Sequence, residues 1–104
     1  MKRGYIFTPQ AEADLLSIWE YIADEDSERA ADRVIQRLYE QCQKLSDMPG
    51  IGHYREDLLD KRHRFWTVWS YIIAYRWEVK PIQVIAVIHG ARDLDAFFAR
   101  RPAE

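Results

Sequence analysis

Two places in the sequence combine a histidine with arginines, a pairing that can transfer protons and stabilise negative charge. His89 stands three positions before Arg92, and Arg64 closes the basic run KRHR at residues 61–64. An imidazole titrates near neutral pH, and guanidinium groups can stabilise the charge that develops on a phosphate during a reaction. His89 could transfer a proton while Arg64 and Arg92 stabilise negative charge. A histidine that ends a strand more often bonds to a turn, however, and we favour that second interpretation.

The sequence predicts no metal site and no cofactor. Cys42 is the only cysteine, which excludes an internal disulfide and a metal site built from a cysteine cluster. His53 and His63 do not stand at metal-ligand spacing from each other or from this cysteine, so we interpret them as solvated histidines. Cys42 falls on the apolar face of a predicted helix, where we expect a buried and unreactive thiol.

Length, composition and charge limit the class of protein. A chain of 104 residues with 48% apolar residues can form one domain, residues 1–104, around a compact core. The net charge of −2 gives no reason to expect direct nucleic-acid binding through bulk charge. No apolar run approaches the roughly 20 residues of a membrane span, and no long apolar stretch follows the basic residues near the N-terminus. We therefore expect no membrane association and a cytoplasmic location.

The longest β-like run lies at residues 64–93, and the elements around it must position the residues named above. Apolar and aromatic residues alternate over 71–79 and fill both faces of 82–89, which predicts an antiparallel hairpin. Lys80-Pro81 marks its turn, because proline cannot donate a hydrogen bond within a central ladder. A third strand is predicted at about 63–68, although the connecting residues 68–70 include no glycine, proline or asparagine to mark the turn.

Two helices are predicted before these strands. The motif Thr8-Pro9 predicts a capped helix start, and the apolar period continues to about Ala23. Asp26 or Ser27 can cap a second helix, which the sequence MPG at residues 48–50 ends. Because the linker is so short, we expect the two helices to pack as an antiparallel hairpin.

The chain ends complete the predicted arrangement. A short apolar run at residues 4–7 predicts an edge strand, and Arg92 or Asp93 begins a short helix from Leu94 to about Arg100. The order β-α-α-β-β-β-α predicts the α+β class. We expect an N-terminal strand, an antiparallel helix hairpin packed on a small antiparallel sheet, and a short C-terminal helix.

Several stretches together resemble the ParE toxins of the RelE/ParE superfamily, the toxin components of bacterial type II toxin–antitoxin modules. The matching stretches are FTPQAEADL at 7–15, IWEYIA at 18–23, Leu45, MPGIG at 48–52, Arg64, YIIAYR at 71–76 and IHGARDL at 88–94. None is specific alone, but their order and spacing extend over nearly the whole chain. The resemblance implies the RelE/ParE-like fold, which agrees with the arrangement predicted from the pattern.

The resemblance also implies a function: a toxin that a ParD-like antitoxin binds and silences, with DNA gyrase as the expected target. RelE-like relatives instead cleave mRNA on the ribosome, using basic residues of the sheet and a C-terminal tyrosine. This chain has Phe98 where that tyrosine would stand, and Trp66 and Thr67 where basic residues would be expected. Because a phenylalanine cannot transfer a proton, we favour a gyrase inhibitor that is not an enzyme. The first alternative is a ribosome-dependent mRNA endoribonuclease with His89, Arg92 and Arg64 as catalytic residues, and the second is a related subunit without toxicity.

Two sets of residues are predicted to contact the antitoxin or the target. In the resembling family the C-terminal tail of the antitoxin wraps the helices and sheet of the toxin, and such a tail is usually acidic. The resemblance therefore favours a set of cationic contacts: Arg62, Arg64, Arg76 and Arg92. The second set comprises apolar residues that fall off the predicted packed faces of the helices: Leu16, Tyr21 and Tyr39.

Overall fold

Two helices and a four-stranded sheet make up residues 4–54 and 63–90, the part of the chain that the computed structural model describes. The helices are α1 (Pro9–Glu25) and α2 (Glu28–Asp47), and a 3-10 turn (Pro49–Ile51) follows the second. The α+β class is as predicted. In chain order the strands are β1 (Tyr5–Phe7), β2 (His63–Val68), β3 (Tyr71–Arg76) and β4 (Ile82–His89).

Side-chain caps fix where both helices begin. The Thr8 hydroxyl accepts a hydrogen bond from the Ala11 amide at 3.2 Å, and the Ser27 hydroxyl accepts one from the Ala30 amide at 3.0 Å. Each cap satisfies one of the amides that a helix start leaves without a partner. Ser27, and not Asp26, is therefore the cap of α2. The first helix ends at Glu25, two residues later than predicted, because the helical hydrogen bonds continue as far as the Asp26 amide, which donates to the Ile22 carbonyl oxygen at 2.8 Å.

The sheet has the strand order β1-β4-β3-β2, so β4 lies inside it and β1 at one edge. The edge position of β1 is as predicted. Its orientation was not predicted: β1 pairs in parallel with β4, Tyr5 opposite Ile82, whereas the other two pairings are antiparallel. A parallel pairing needs a long crossover connection, which the helices and the later strands supply.

Strand β3 is shorter than its sequence pattern predicts. We expected it to extend to residue 79, but β3 ends at Arg76, which lies opposite Gln83 of β4. Residues 77–81 then make the connection, since the chain must reverse before β4 begins at Ile82.

A β-bulge in β4 changes which residues face the helices. Ala74 lies opposite Ala86, but the next residue of β3 lies opposite Val84, so Ile85 is left as the extra residue. The Asp14 carboxylate of α1 accepts a hydrogen bond from the Val87 amide at 3.0 Å. This bond ties the first helix to the central strand close to the bulge.

The helices cover one face of the sheet, and the main core lies between the two layers. Its largest fully buried side chains include Tyr75, Leu38, Leu45 and Ile73. Cys42 is fully buried in this core, as predicted, and burial raises the pKa of its thiol to about 12. The opposite face of the sheet holds a second buried apolar cluster: Phe65, Ile72, Ala74, Ile85, Ala86 and Ile88. Strand β4 is thus buried on both faces, as its continuous apolar sequence predicts.

The expectation that Tyr39 lies off the packed face of its helix is wrong. Its side chain is half-buried, packs against the main core, and has its ring centre 5.8 Å from that of Phe7. The reason is that α2 contacts the edge strand β1, so a tyrosine long enough to reach past the helix surface meets that strand.

Candidate partner-binding surfaces

The guanidinium group of Arg64 is used to hold the loop that follows α2. Arg64 lies on β2 opposite Tyr75 of β3. Its guanidinium carbon lies 4.6 Å from the centre of the Tyr54 ring and 4.4 Å from that of Trp77, and Nη1 donates a hydrogen bond to the Gly52 carbonyl oxygen at 2.7 Å. A cation over two aromatic faces is attracted by both ring quadrupoles. The structure therefore gives Arg64 a role in positioning this loop, and a contact with a partner stays a prediction.

Tyr75 holds the same loop through its hydroxyl group. Its hydroxyl donates to the Pro49 carbonyl oxygen at 2.6 Å and accepts from the Gly52 amide at 3.0 Å. A Cβ at position 52 would lie 2.4 Å from the tyrosine oxygen, so only glycine fits there. Burial raises the pKa of Tyr75, although the Gly52 amide and the Arg64 charge act in the opposite direction. The loop that contains Gly52 is thus held at two points by side chains of the sheet.

Arg76 lies apart from Arg64, on the other face of the sheet. Neighbouring residues of a strand point to opposite faces, and Tyr75, which lies opposite Arg64, points into the main core. The Arg76 side chain is exposed and donates a hydrogen bond to Gln83 Oε1 at 3.1 Å. The structure therefore does not bring these two predicted contact arginines into one cationic patch. Arg62 and Arg92, the other two, lie outside the described residues.

Leu16 and Tyr21 are exposed on α1, as predicted, with 59% and 67% of their side chains accessible. They belong to an exposed stripe that repeats at the helical period, with members at positions 12, 13, 16, 17, 20, 21 and 24. We call this stripe the outer face of α1. Leu16 and Tyr21 are its large apolar members, whereas Tyr39, which lies on α2, does not contribute to it.

His89 lies at the end of β4, beside Tyr71. Its ring centre lies 5.5 Å from that of Tyr71 in an edge-to-face arrangement, and its side chain is exposed. Burial raises the pKa of Tyr71, and the nearby Tyr21 hydroxyl raises it further. A histidine beside a phenol is chemically able to exchange protons, so the position of His89 as such does not exclude catalysis.

The residues predicted for RNA cleavage are not gathered at one point. His89 lies on β4 opposite Tyr71 of β3, whereas Arg64 lies on β2 opposite Tyr75 of β3. The two residues are thus separated by four positions along the strands and by two strand spacings. The strand rise of about 3.3 Å and the spacing of about 4.8 Å between strands place their Cα atoms about 16 Å apart. Arg92 and Phe98, the other positions in that argument, lie outside the described ranges.

Trp69 is an exposed aromatic residue that the sequence interpretation missed. It lies in the two-residue turn between β2 and β3, with 62% of its side chain accessible and a backbone φ of 54°. The left-handed region is unfavourable for a bulky side chain, so the turn stores strain. The Arg37 guanidinium lies 6.0 Å from its ring centre. The only sequence signal was the short distance between two strands that needed a tight turn without glycine or asparagine.

Neither a metal site nor a membrane span is found where the chain is described. Residues 4–54 and 63–90 contain no group of three histidine, cysteine or acidic side chains that could hold a metal ion. Over the same ranges, no helix has the length and the apolar character needed to cross a membrane.

Comparison with known proteins agrees with the fold and identifies the family. Over residues 5–94 the chain matches the family described as the ParE toxin of type II toxin–antitoxin system, parDE. Among solved structures, it is similar to a chain of the chromosomal ParDE toxin–antitoxin system from P. aeruginosa, with a TM-score of 0.70 and 23% identity. That likeness covers 82% of this chain and 92% of the other, and at this identity it shows the fold. No curated protein matches the chain. Because the family match covers most of the sequence, the chain belongs to the ParE toxin family of type II toxin–antitoxin systems.

Proposed function

We propose that this toxin inhibits DNA gyrase and that a ParD-like antitoxin neutralises it by binding. The observation that carries the proposal is the ParE family match over residues 5–94. The similar P. aeruginosa chain comes from a ParDE system, which supports a ParD-like partner for this chain too. Fold alone would not distinguish a gyrase inhibitor from a ribonuclease, because one fold can host unrelated functions.

The geometry of the sheet gives separate support for a mode of action without RNA cleavage. A ribonuclease needs its base and its charge-stabilising groups around the same phosphate, within hydrogen-bonding distance of the reacting atoms. The Cα atoms of His89 and Arg64 lie about 16 Å apart by strand geometry, and the Arg64 guanidinium is already bound to the Gly52 carbonyl oxygen. This placement favours a role for Arg64 in holding the loop over a catalytic role shared with His89.

The test is gyrase-catalysed supercoiling of a relaxed plasmid in the presence of the purified toxin, run beside cleavage of mRNA on programmed ribosomes. We expect lost supercoiling, or accumulated cleaved DNA, with intact mRNA. Full supercoiling together with mRNA cuts at defined codon positions would contradict the proposal and favour the ribonuclease.

His89→Ala is the matched variant for both assays. If the proposal holds, this variant inhibits gyrase as the parent protein does, because no proton transfer is involved. Loss of mRNA cleavage in His89→Ala, after cleavage by the parent protein, would identify His89 as catalytic. Retained helical and sheet signals in circular dichroism would show that the variant is folded.

A further inference from the structure

We propose that the outer face of α1 binds a basic, amphipathic segment of a partner protein. The inference rests on the proposed function in one respect: it takes the partner to be the antitoxin. It adds the chemistry of the segment that binds there, which differs from that of the acidic tail expected for the arginines.

Two large apolar side chains are exposed on this surface. Leu16 and Tyr21 are more than half exposed, they stand about 140° apart around the helix axis, and the exposed Ala13 lies between them on the same side of α1. Exposed apolar groups of this size on a small protein often mark a binding site. The inward side of the same helix is occupied already, because Leu15 is buried and Asp14 bonds to the Val87 amide. The outer face is therefore an additional contact surface.

Carboxylates stand among these apolar side chains. In sequence, α1 contains five acidic residues and no lysine or arginine: Glu12, Asp14, Glu20, Asp24 and Glu25. Four of them are exposed, and Glu12 and Glu20 stand one helical turn before and after Leu16. The ion pair between Arg37 and Glu40 lies within α2 and involves none of the four exposed carboxylates of α1.

The end of α1 adds to the negative potential. A helix C-terminus carries partial negative charge, which a basic residue in the last turn usually offsets, and α1 has none there. A hollow of about 580 Å³ opens at this end, and its lining combines two aromatic residues with three carboxylates: Trp19, Glu20, Tyr21, Ala23, Asp24 and Glu28. Aromatic faces and carboxylates together favour a lysine or arginine side chain.

Charge excludes the other occupants of such a surface. A second copy would place the same face against itself in a two-fold dimer, which brings carboxylates against carboxylates. The phosphates of nucleic acid and of anionic lipids would be repelled for the same reason. A protein segment that carries apolar residues at helical spacing together with lysine or arginine is the partner that satisfies both the exposed apolar side chains and the carboxylates.

Peptide selection tests this directly. A display library of random 16-residue peptides is selected on the full-length toxin, and each binder is titrated against the parent protein and against Leu16→Ser/Tyr21→Ser. We expect a class of binders that the double variant weakens at least tenfold, and we expect that class to be rich in lysine and arginine. Acidic or neutral peptides in that class would overturn the proposal, and so would the absence of any binder that depends on these two side chains.

Two charge-matched double variants distinguish the carboxylates of the outer face from the net charge of the protein. Glu20→Gln/Asp24→Asn removes two carboxylates from the outer face, and Glu40→Gln/Asp47→Asn removes two exposed carboxylates from α2. We expect the first pair to weaken basic binders about fivefold at low salt and the second to leave them unchanged. Equal effects would overturn the proposed site.

Inhibition of gyrase-catalysed supercoiling by the parent protein is measured in parallel with the peptide titrations. Basic peptides that bind the outer face while gyrase stays active would refute the proposed target and keep this inference. If the toxin inhibits gyrase but no such peptide is selected, the proposed target is kept and this inference is refuted.

Discussion

Arg64 stacks on Trp77: its guanidinium carbon lies 4.4 Å from the centre of the indole ring, and Nη1 bonds to the Gly52 carbonyl oxygen. We predict that Arg64→Lys lowers the free energy of unfolding by about 1–2 kcal/mol, because an ammonium group loses the flat stacking surface and the fixed fork of donors. Urea denaturation measures the change. Arg76→Lys is the control and should stay within about 0.5 kcal/mol, since that side chain is exposed.

The Arg64→Lys variant also tests the prediction that Arg64 contacts the antitoxin or the target. If Arg64→Lys is as stable as the parent protein but escapes antitoxin or no longer inhibits its target, Arg64 is a contact residue and not an anchor of the loop.

Removing the hydroxyl of Tyr75 should loosen the loop after α2. Tyr75→Phe leaves the buried Gly52 amide and the Pro49 carbonyl without their bonds to the phenol oxygen. A buried polar group that loses its partner costs about 1–3 kcal/mol, and we expect a destabilisation in that range. Hydrogen exchange should show faster exchange at Gly52 than in the parent protein. An unchanged Gly52 rate would mean that this bond does not hold the loop.

Tyr21 and Tyr39 should respond differently to the same substitution. Tyr39→Asp places a charge against Phe7 and the main core, so we expect a loss of about 2–4 kcal/mol in the free energy of unfolding. Tyr21→Asp changes an exposed side chain and should cost less than about 1 kcal/mol. Thermal or urea unfolding compares the two. A stable Tyr39→Asp protein would place that ring outside the core.

Tyr21→Asp is the informative variant for partner binding, because the protein should remain folded. Weaker neutralisation by antitoxin in this variant is the expected result. Unchanged affinity would remove Tyr21 from the interface.

The buried thiol predicts that stability falls in alkaline solution. Burial raises the pKa of Cys42 from 9.0 to about 12, so between these values the unfolded chain releases the proton and the folded protein keeps it. Stability from this group is complete below pH 9 and decreases above it, by up to about 1.4 kcal/mol per pH unit. Denaturation curves at pH 8, 9 and 10 should show the decrease in the parent protein and a smaller one in Cys42→Ala. A thiol reagent should label the native protein only at the rate of unfolding, and rapid labelling would contradict burial.

The strained turn at Trp69 predicts an unusual order of stabilities. Trp69→Gly removes the steric cost of the positive φ, so we expect stability within about 1 kcal/mol of the parent protein despite the lost ring. Trp69→Val keeps that cost at a β-branched residue and should be less stable than the glycine variant by about 1–2 kcal/mol. Equal stability of the two variants would show that the turn adapts to either residue.

Local signals explain which parts of the fold could be predicted from the sequence. Thr8 and Ser27 predict the starts of their helices because a cap is a contact within four residues of chain. The sequence at residues 82–89 predicts a central strand because burial on both faces requires an unbroken apolar run. Such features depend on neighbours in sequence, which the pattern contains.

The features that were missed depend on distant residues. The bulge at Ile85 is visible only in the register between two strands, and the bond from Val87 to Asp14 joins residues 73 positions apart. Tyr39 was misplaced because its partner Phe7 lies on a strand whose position beside α2 is a tertiary fact. The arginines were grouped because the resemblance implies an acidic antitoxin tail, but strand alternation sends Arg64 and Arg76 to opposite faces, so these two do not form one patch.

The pairing of β1 with β4 has a consequence for the newly synthesised chain. Tyr5 is translated 77 residues before its strand partner Ile82, so β1 cannot join the sheet until the ribosome has passed β4. A contact between such distant positions also adds a loop-closure cost and slows folding. Any nascent chain that stops before β4 lacks one of the two inner strands of the sheet. Interrupted translation should therefore yield fragments that cannot take up the toxin fold.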